Sequence, residues 1–196
     1  MTQHRAPGAA IDVRPLDAGR WPNLERLFTG RGDQSRCWCA WWRLPGKEFG
    51  ASRVADRREL MAARARHAPA PGLIAYAGEE PVGWVAVAPR AEYPRVQRST
   101  IITYDDAVPG CWSITCFFVH PRHRGGGLLD TLVAAAVAHA GAHGAAHVEA
   151  YPVEPAPRQS ASGLFRGPLG VFLRAGFTEV GRRQGRPTVR LSLLGG

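Results

Sequence analysis

TCFFVHPRHRGGGLLDTLVAAAVAHA, residues 115–140, passes without interruption from strand formers through a basic glycine turn into a helix. Thr115, Cys116, Phe117, Phe118 and Val119 are β-branched, aromatic or otherwise suited to a pleated strand, and Pro121 then removes a ladder donor, so the strand stops near His120. Behind the turn at Arg122–Gly127, Leu129, Leu132, Val133, Ala136, Val137 and Ala140 recur at helical spacing, and Gly141 or Gly144 closes the helix. The first turn of a helix carries unpaired N–H groups and a partial positive charge, and glycines let an anion come close to them. With Arg122, His123 and Arg124 at the same end, the turn is built for phosphate.

Working outward, 196 residues suit one domain with a real core, with residues 1–10 as a loose polar tail and 11–196 as the folded unit. The formal charge is +9 and the pI near 10.4, a balance that raises nucleic acid as a partner. Lys47 is the only lysine among the 25 basic residues, and the arginines are scattered rather than clustered. A dispersed charge makes a poor nucleic-acid footprint, so an anionic small partner is preferred. The four cysteines, at 37, 39, 111 and 116, follow no export-like leader, and no apolar run approaches bilayer length. Reduced thiols, a cytoplasmic location and no membrane partner are therefore expected.

In chain order, Ile11–Arg14 alternates as a first strand. Leu16, Trp21, Leu24, Leu27 and Phe28 form the stripe of a helix with Asp17 as a candidate cap. Cys37-Trp38-Cys39-Ala40-Trp41-Trp42-Arg43 concentrates three tryptophans. Its Cys-x-Cys offers two metal ligands where a zinc site needs four, so no metal is expected. The tryptophans either pack over the core or wall a substrate pocket. Residues 51–67 read as a basic helix, and 73–77 and 82–88 as a hairpin turning through Gly78–Pro81. Irregular residues 90–110 hold Tyr104, Asp105 and Asp106, which orient an amine or cap a turn. The strand 112–119 comes next. His147–Tyr151 alternates as a fifth strand with His147, Glu149 and Tyr151 on one face, before a helix ending at Gly176 and closing strands at 177–180 and 188–194. The crossover helix makes the fourth and fifth strands parallel, giving an α/β fold with one mixed, mostly antiparallel twisted sheet flanked by helices.

Arg122-His123-Arg124-Gly125-Gly126-Gly127, after a strand and before a helix, resembles the Gln/Arg-x-x-Gly-x-Gly/Ala signature of the GNAT superfamily of N-acetyltransferases. Phe172-Leu173-Arg174-Ala175-Gly176-Phe177 resembles a second landmark of that family. The resemblance is strong over 112–178 and weak before about residue 70. It implies a GNAT-like fold whose parallel strands splay around acetyl-CoA. It further implies pyrophosphate contacts from Arg122, Arg124, Gly125, Gly126, Gly127 and Leu128, and pantetheine pairing along the backbone of Phe117, Phe118 and Val119.

It also implies transfer of an acetyl group to a primary amine, by direct attack through a tetrahedral intermediate. A backbone N–H at Phe118 or Val119, where the family strand carries a bulge, is the oxyanion donor. Glu149 is the candidate base beside the gap, with pairing to an arginine as the alternative. Phe172 stands where many relatives carry a general-acid tyrosine, which leaves Tyr151, Tyr104, water or no acid in that role. Trp38, Trp42, Tyr104 and Asp105 are the candidate acceptor contacts. A small molecule is the expected acceptor; a protein lysine or N-terminus, and a non-catalytic acyl-CoA-binding module, are the alternatives. A homodimer is compatible with the sequence, which leaves oligomeric state open.

Overall fold

The structure is a computed structural model that describes residues 10–30, 32–103, 105, 107–154 and 165–194. The tail expected over residues 1–9 lies outside them. Among the described residues seven strands form one sheet: β1 (Ile11–Pro15), β2 (Gly72–Ala77), β3 (Glu80–Pro89), β4 (Cys111–Val119), β5 (His147–Ala150), β6 (Thr178–Arg183) and β7 (Arg186–Ser192). Their order is β1-β2-β3-β4-β5-β7-β6. Every neighbouring pair is antiparallel except β4 and β5, which run parallel across the crossover helix.

That crossover is α6 (Leu128–Ala142), and its apolar stripe decides which sheet face carries the main core. Leu128, Leu132, Val133, Ala136 and Ala140 pack with Val85 and Val87 of β3, Trp112, Ile114 and Phe117 of β4, and Val148 and Ala150 of β5. A fully buried Leu or Val side chain contributes roughly 1.5–3 kcal/mol, so this stripe is a large share of what holds α6 down. Gly83 sets the close approach, since a Cβ there would stand 3.1 Å from Leu128 and 3.3 Å from Leu132.

The opposite face is covered by α1 (Trp21–Phe28), α4 (Val54–Arg64) and the turn that follows α2 (Asp33–Cys37), with α3 (Gly46–Ala51) between α2 and α4 in the chain. Leu24, Leu27, Phe28, Trp38, Met61, Ile74, Tyr76 and Trp84 form a second core there. A third, smaller cluster joins Trp42, Ala88, Tyr93, Val96, Ile102 and Tyr151 near the end of β5, beside α5 (Pro94–Gln97). Helix α7 (Leu169–Arg174) packs Val171 and Phe172 back into the main core. No helix among the described residues is long and apolar enough to cross a membrane.

Three segments differ from the pattern reading. The first helix starts at Trp21, because Asp17 closes a turn instead, its Oδ1 accepting from the Arg20 amide at 2.8 Å. The basic helix expected over 51–67 is α4 alone, its N-terminus tied by Asp56 accepting from the Arg53 amide at 2.8 Å, and α3 is a separate element that meets the expected span only at Ala51. Irregular residues 90–110 contain a 3-10 turn, Arg90–Glu92, as well as α5.

Candidate active site

The phosphate-type turn is open. Gly125 and Gly127 have φ of 76° and 78°, values that disfavour any side chain, and a Cβ at either would meet nothing within 4 Å. Gly127 caps α6 with no side chain on the first-turn amides. Those amides therefore remain directed at the space above the turn, where the dipole favours an anion. Arg122 and Arg124 are exposed beside it, and Arg124 curls back to donate Nε to the Val119 carbonyl at 3.2 Å. Asp130, the one acid in that helical turn, is engaged by Arg174 at 2.7 Å.

The edge of β4 leading to the turn is decided by register. His120 donates to the Val82 carbonyl at 2.9 Å, and Phe118 faces Trp84 two residues earlier, so the Phe118 amide points to β3. The amides of Phe117 and Val119 point the other way, into the gap where β4 and β5 separate. Pairing between the two strands ends at Ile114–Ala150. A bulge makes them part: Val87 pairs Ile114 and Ala86 pairs Cys116, leaving Thr115 as the extra residue. The bulge was expected near 118–119 and stands three or four residues earlier.

The gap is spanned by the chain itself. Phe117 donates to the Phe165 carbonyl at 2.6 Å, and Val153 donates to Gly167 at 3.0 Å while its own carbonyl takes the Leu169 amide at 2.9 Å. Residues 165–168 thus link β4 to the continuation of β5, crossing from the Trp42 cluster to the Phe117–Phe172 side.

The floor of the gap is a closed polar network. Ser113, Glu149 and Arg190 are direct cross-strand neighbours on β4, β5 and β7. Arg190 donates Nε and Nη2 to Glu149 Oε1 at 2.9 and 2.7 Å, and Arg90 donates to Oε2 at 3.2 Å. Tyr151 donates its hydroxyl to the same Oε2 at 3.2 Å and meets Ser113 Oγ at 2.8 Å. Burial first, and the Glu149 charge second, push the Tyr151 phenol well above its usual pKa, so it keeps its proton at neutral pH.

The profile of the acetyltransferase (GNAT) family matches residues 36–170. The chain belongs to that family. Solved structures with similar folds include a Salmonella typhimurium putative acetyltransferase with its cofactor acetyl-CoA (18% identity, TM-score 0.54, 94% of each chain covered). A Drosophila melanogaster polyamine N-acetyltransferase that forms N-acetylagmatine is 14% identical, with a TM-score of 0.55, over 94% of this chain and 100% of that one. A ribosomal-protein-alanine N-acetyltransferase from Brucella melitensis is 18% identical, with a TM-score of 0.54, over 93% and 99%. A search of curated proteins found no match.

Within this GNAT domain the residues singled out by sequence fall into distinct groups. Gly125, Gly126, Gly127 and Leu128 form the turn and the start of α6, with Arg122 and Arg124 beside them. Glu149, read as the base, has both oxygens taken by guanidiniums and a phenol. It is corrected to the ion-pair role, because no lone pair is left aimed at the gap. Trp38 is likewise corrected from acceptor wall to core: its ring lies 5.7 Å from Trp21 and 5.5 Å from Phe28, only 7% exposed. Trp42 does border the end of β5, 6.1 Å from Tyr151 between ring centroids. Asp105 caps a turn, its Oδ1 accepting the Ala107 amide at 2.9 Å, while its carbonyl takes Arg90 at 2.7 Å. Tyr104 and Asp106 lie outside the described residues. Cys116 is no activated nucleophile, since a hydrogen bond with Cys39 and burial raise its pKa.

Sequence reasoning missed Ser113, Arg90, Arg190 and Arg166. Ser113 and Arg190 become visible only through register, and Arg90 only through the fold that brings its 3-10 turn to Glu149. Arg166 stacks over Trp42, its Cζ 4.9 Å from the ring centroid.

Proposed function

We propose that the protein is an acetyl-CoA-dependent N-acetyltransferase acting on a primary amine of a small molecule. The observation that carries this reading is the left-handed, uncrowded pair Gly125 and Gly127 opening onto the uncapped start of α6, a cradle that fits a diphosphate. Acetyl-CoA supplies the acetyl thioester. Val119 donates its gap-facing N–H to the thioester oxygen as negative charge develops there. Tyr151 is the protonated group beside the gap: its hydroxyl gives its proton to the departing thiolate and regains one from the water that takes up the amine's, and Glu149, clamped by Arg90 and Arg190, holds the phenol in place. The amine loses its proton to water.

A second reading, a non-catalytic acyl-CoA-binding module, is favoured by one contact: Phe165 already occupies the Phe117 amide. Among the similar folds, one acts on a polyamine and another is named for a ribosomal protein alanine, which keeps a protein N-terminus or lysine as a further acceptor.

Calorimetric titration tests the cofactor. Wild type binds acetyl-CoA saturably, and Gly125→Glu, which adds bulk and negative charge at a left-handed position, weakens binding by about 100-fold or more, equivalent to about 2.8 kcal/mol. Undiminished affinity in the variant overturns the placement. Thiol release with an amine panel then separates enzyme from binding module.

A further inference from the structure

Among the described residues, Arg166 is a buried-edge cation with no counter-charge. Its guanidinium lies over the rings of Trp42, at 4.9 Å, and Phe165, at 5.4 Å, and Nη1 is shut off from solvent without a hydrogen-bond partner. Among the described residues it joins no salt bridge and donates no side-chain hydrogen bond. Its charged neighbour is Arg186, of the same sign, and burial followed by that repulsion pulls its pKa down to about 10.

Other buried arginines are treated differently. Arg43 has Glu92 at 2.5 Å and the Tyr93 hydroxyl at 3.3 Å, and Arg90 and Arg190 share Glu149. Arg95, which also lacks a carboxylate among the described residues and also keeps one buried nitrogen, Nη2, without a partner, stacks on Trp41 and is anchored by donating Nε to the Leu44 carbonyl at 3.1 Å. Arg166 has no such anchor. A buried donor left unpaired is uncommon and costly, and a planar guanidinium on an aromatic face presents a fork matched to a carboxylate.

The position gives the unpaired fork a use. Trp42 touches Arg166 on one side and Tyr151 on another, so the cation stands about one indole away from the phenol at the gap. Resting on the acetyl-transfer reading above, we propose that Arg166 seats a carboxylate of the acceptor, so that the substrate is an amino acid or a related amine bearing an acid group. Arg186 adds to the field, and the pair repels polycationic amines.

The test measures steady-state thiol release at saturating acetyl-CoA with two series. One runs through L-α-amino acids and ω-amino acids from glycine to 6-aminohexanoate; the other contains the alkylamines of matching length. Wild type prefers the acid-bearing series by at least about tenfold in kcat/KM, the factor that follows from 1.4 kcal/mol of differential binding. Arg166→Met keeps an apolar stem on Trp42 and abolishes the preference by raising KM while kcat holds, and Arg166→Lys restores part of it. Equal turnover of both series, or an equal loss on both in Arg166→Met, overturns the proposal.

Should neither series be acetylated, titration with the products N-acetylglycine and N-acetyl-β-alanine decides. Saturable binding by wild type that Arg166→Met loses supports the seat; no binding, or binding indifferent to the variant, overturns it. A failure of the acetyl-transfer reading registers separately, as wild type that does not bind acetyl-CoA. Thermal melting without ligand distinguishes a strut from a seat: Arg166→Met melts no lower than wild type if the guanidinium awaits a ligand, and clearly lower, contrary to the proposal, if it braces the fold.

Discussion

Two charged sites flank the gap between β4 and β5, and they are built in opposite ways. At the floor, one carboxylate, Glu149, is 1% exposed and engages two arginines and a phenol. At the rim, one arginine, Arg166, rests on an indole with nothing among the described residues to neutralise it. A closed network rigidifies the strands that carry it; an open one holds binding capacity in reserve. The contrast places structure at Glu149 and recognition at Arg166, against the first expectation from residue type, which gave the chemistry to the acid.

The strongest blow to this contrast is struck at the floor. Glu149→Gln leaves two guanidiniums without their carboxylate and destabilises the fold by about 3 kcal/mol. Urea unfolding at unchanged m-value reads this out. A variant that is nearly as stable as wild type yet inactive would reverse the assignment and make Glu149 the base. Next in size is Tyr151→Phe. Losing proton donation lowers kcat by about 100-fold, with KM for acetyl-CoA steady, while the lost hydrogen bond to a charged acceptor costs about 1.5 kcal/mol of stability. If kcat survives, the thiolate departs without Tyr151.

Smaller, and of opposite sign, is the rim. Arg166→Met raises unliganded stability by up to about 1 kcal/mol, the head being only part-buried. The smallest effect belongs to a control on the other sheet face. His139 and His143 stack at 4.4 Å near the C-terminal end of α6, beside a shallow concavity of about 440 Å³ that also includes His67, Asp17 and Arg66. His139 Nε2 is buried without a partner too, but on a neutral ring.

Burial, then His143, lower the His139 pKa from its usual 6.5. Its contribution is therefore intact above that value and lost as pH falls through the lower folded value. His139→Phe flattens the stability profile below pH 6.5, and a profile identical to wild type removes His139 from it. If Arg166→Met leaves the preference for acid-bearing acceptors as unchanged as His139→Phe does, an unpaired buried atom is no guide to a binding seat in this protein.

Much of the fold was legible because its signals are local. Pro121, the three glycines and the 3.6-residue stripe from Leu129 to Ala140 lie within one short stretch, and each limits the backbone by itself. The alternation of His147, Glu149 and Tyr151 likewise put the acid and phenol on one face, where they bond. What escaped depends on distant parts. Glu149 meets Arg90 and Arg190 from 59 and 41 residues away, and no periodicity announces such partners. Trp38 and Trp42 are the same residue four positions apart. The left-handed turn at Trp38 and Cys39, with φ of 49° and 53°, sends the first into the α1 core, and the second reaches the gap. Non-glycine residues rarely take that conformation, so composition could not reveal it.

Thr115 has a consequence that reaches beyond its own position. Ahead of it Trp112 and Ile114 face α6; after it Phe117 does, while Cys116 and Phe118 turn to the α1 side. One surplus residue thus resets the inside-outside phase of the strand in mid-course. Flattening the bulge with Thr115 still in the ladder would act like a frameshift written in side chains: every group from 116 to 119 would trade faces, and the arginine-glycine corner would arrive at the end of a strand turned over, whereas deleting Thr115 would leave Ile114 and Cys116 as consecutive pairs of Val87 and Ala86 with their faces unchanged.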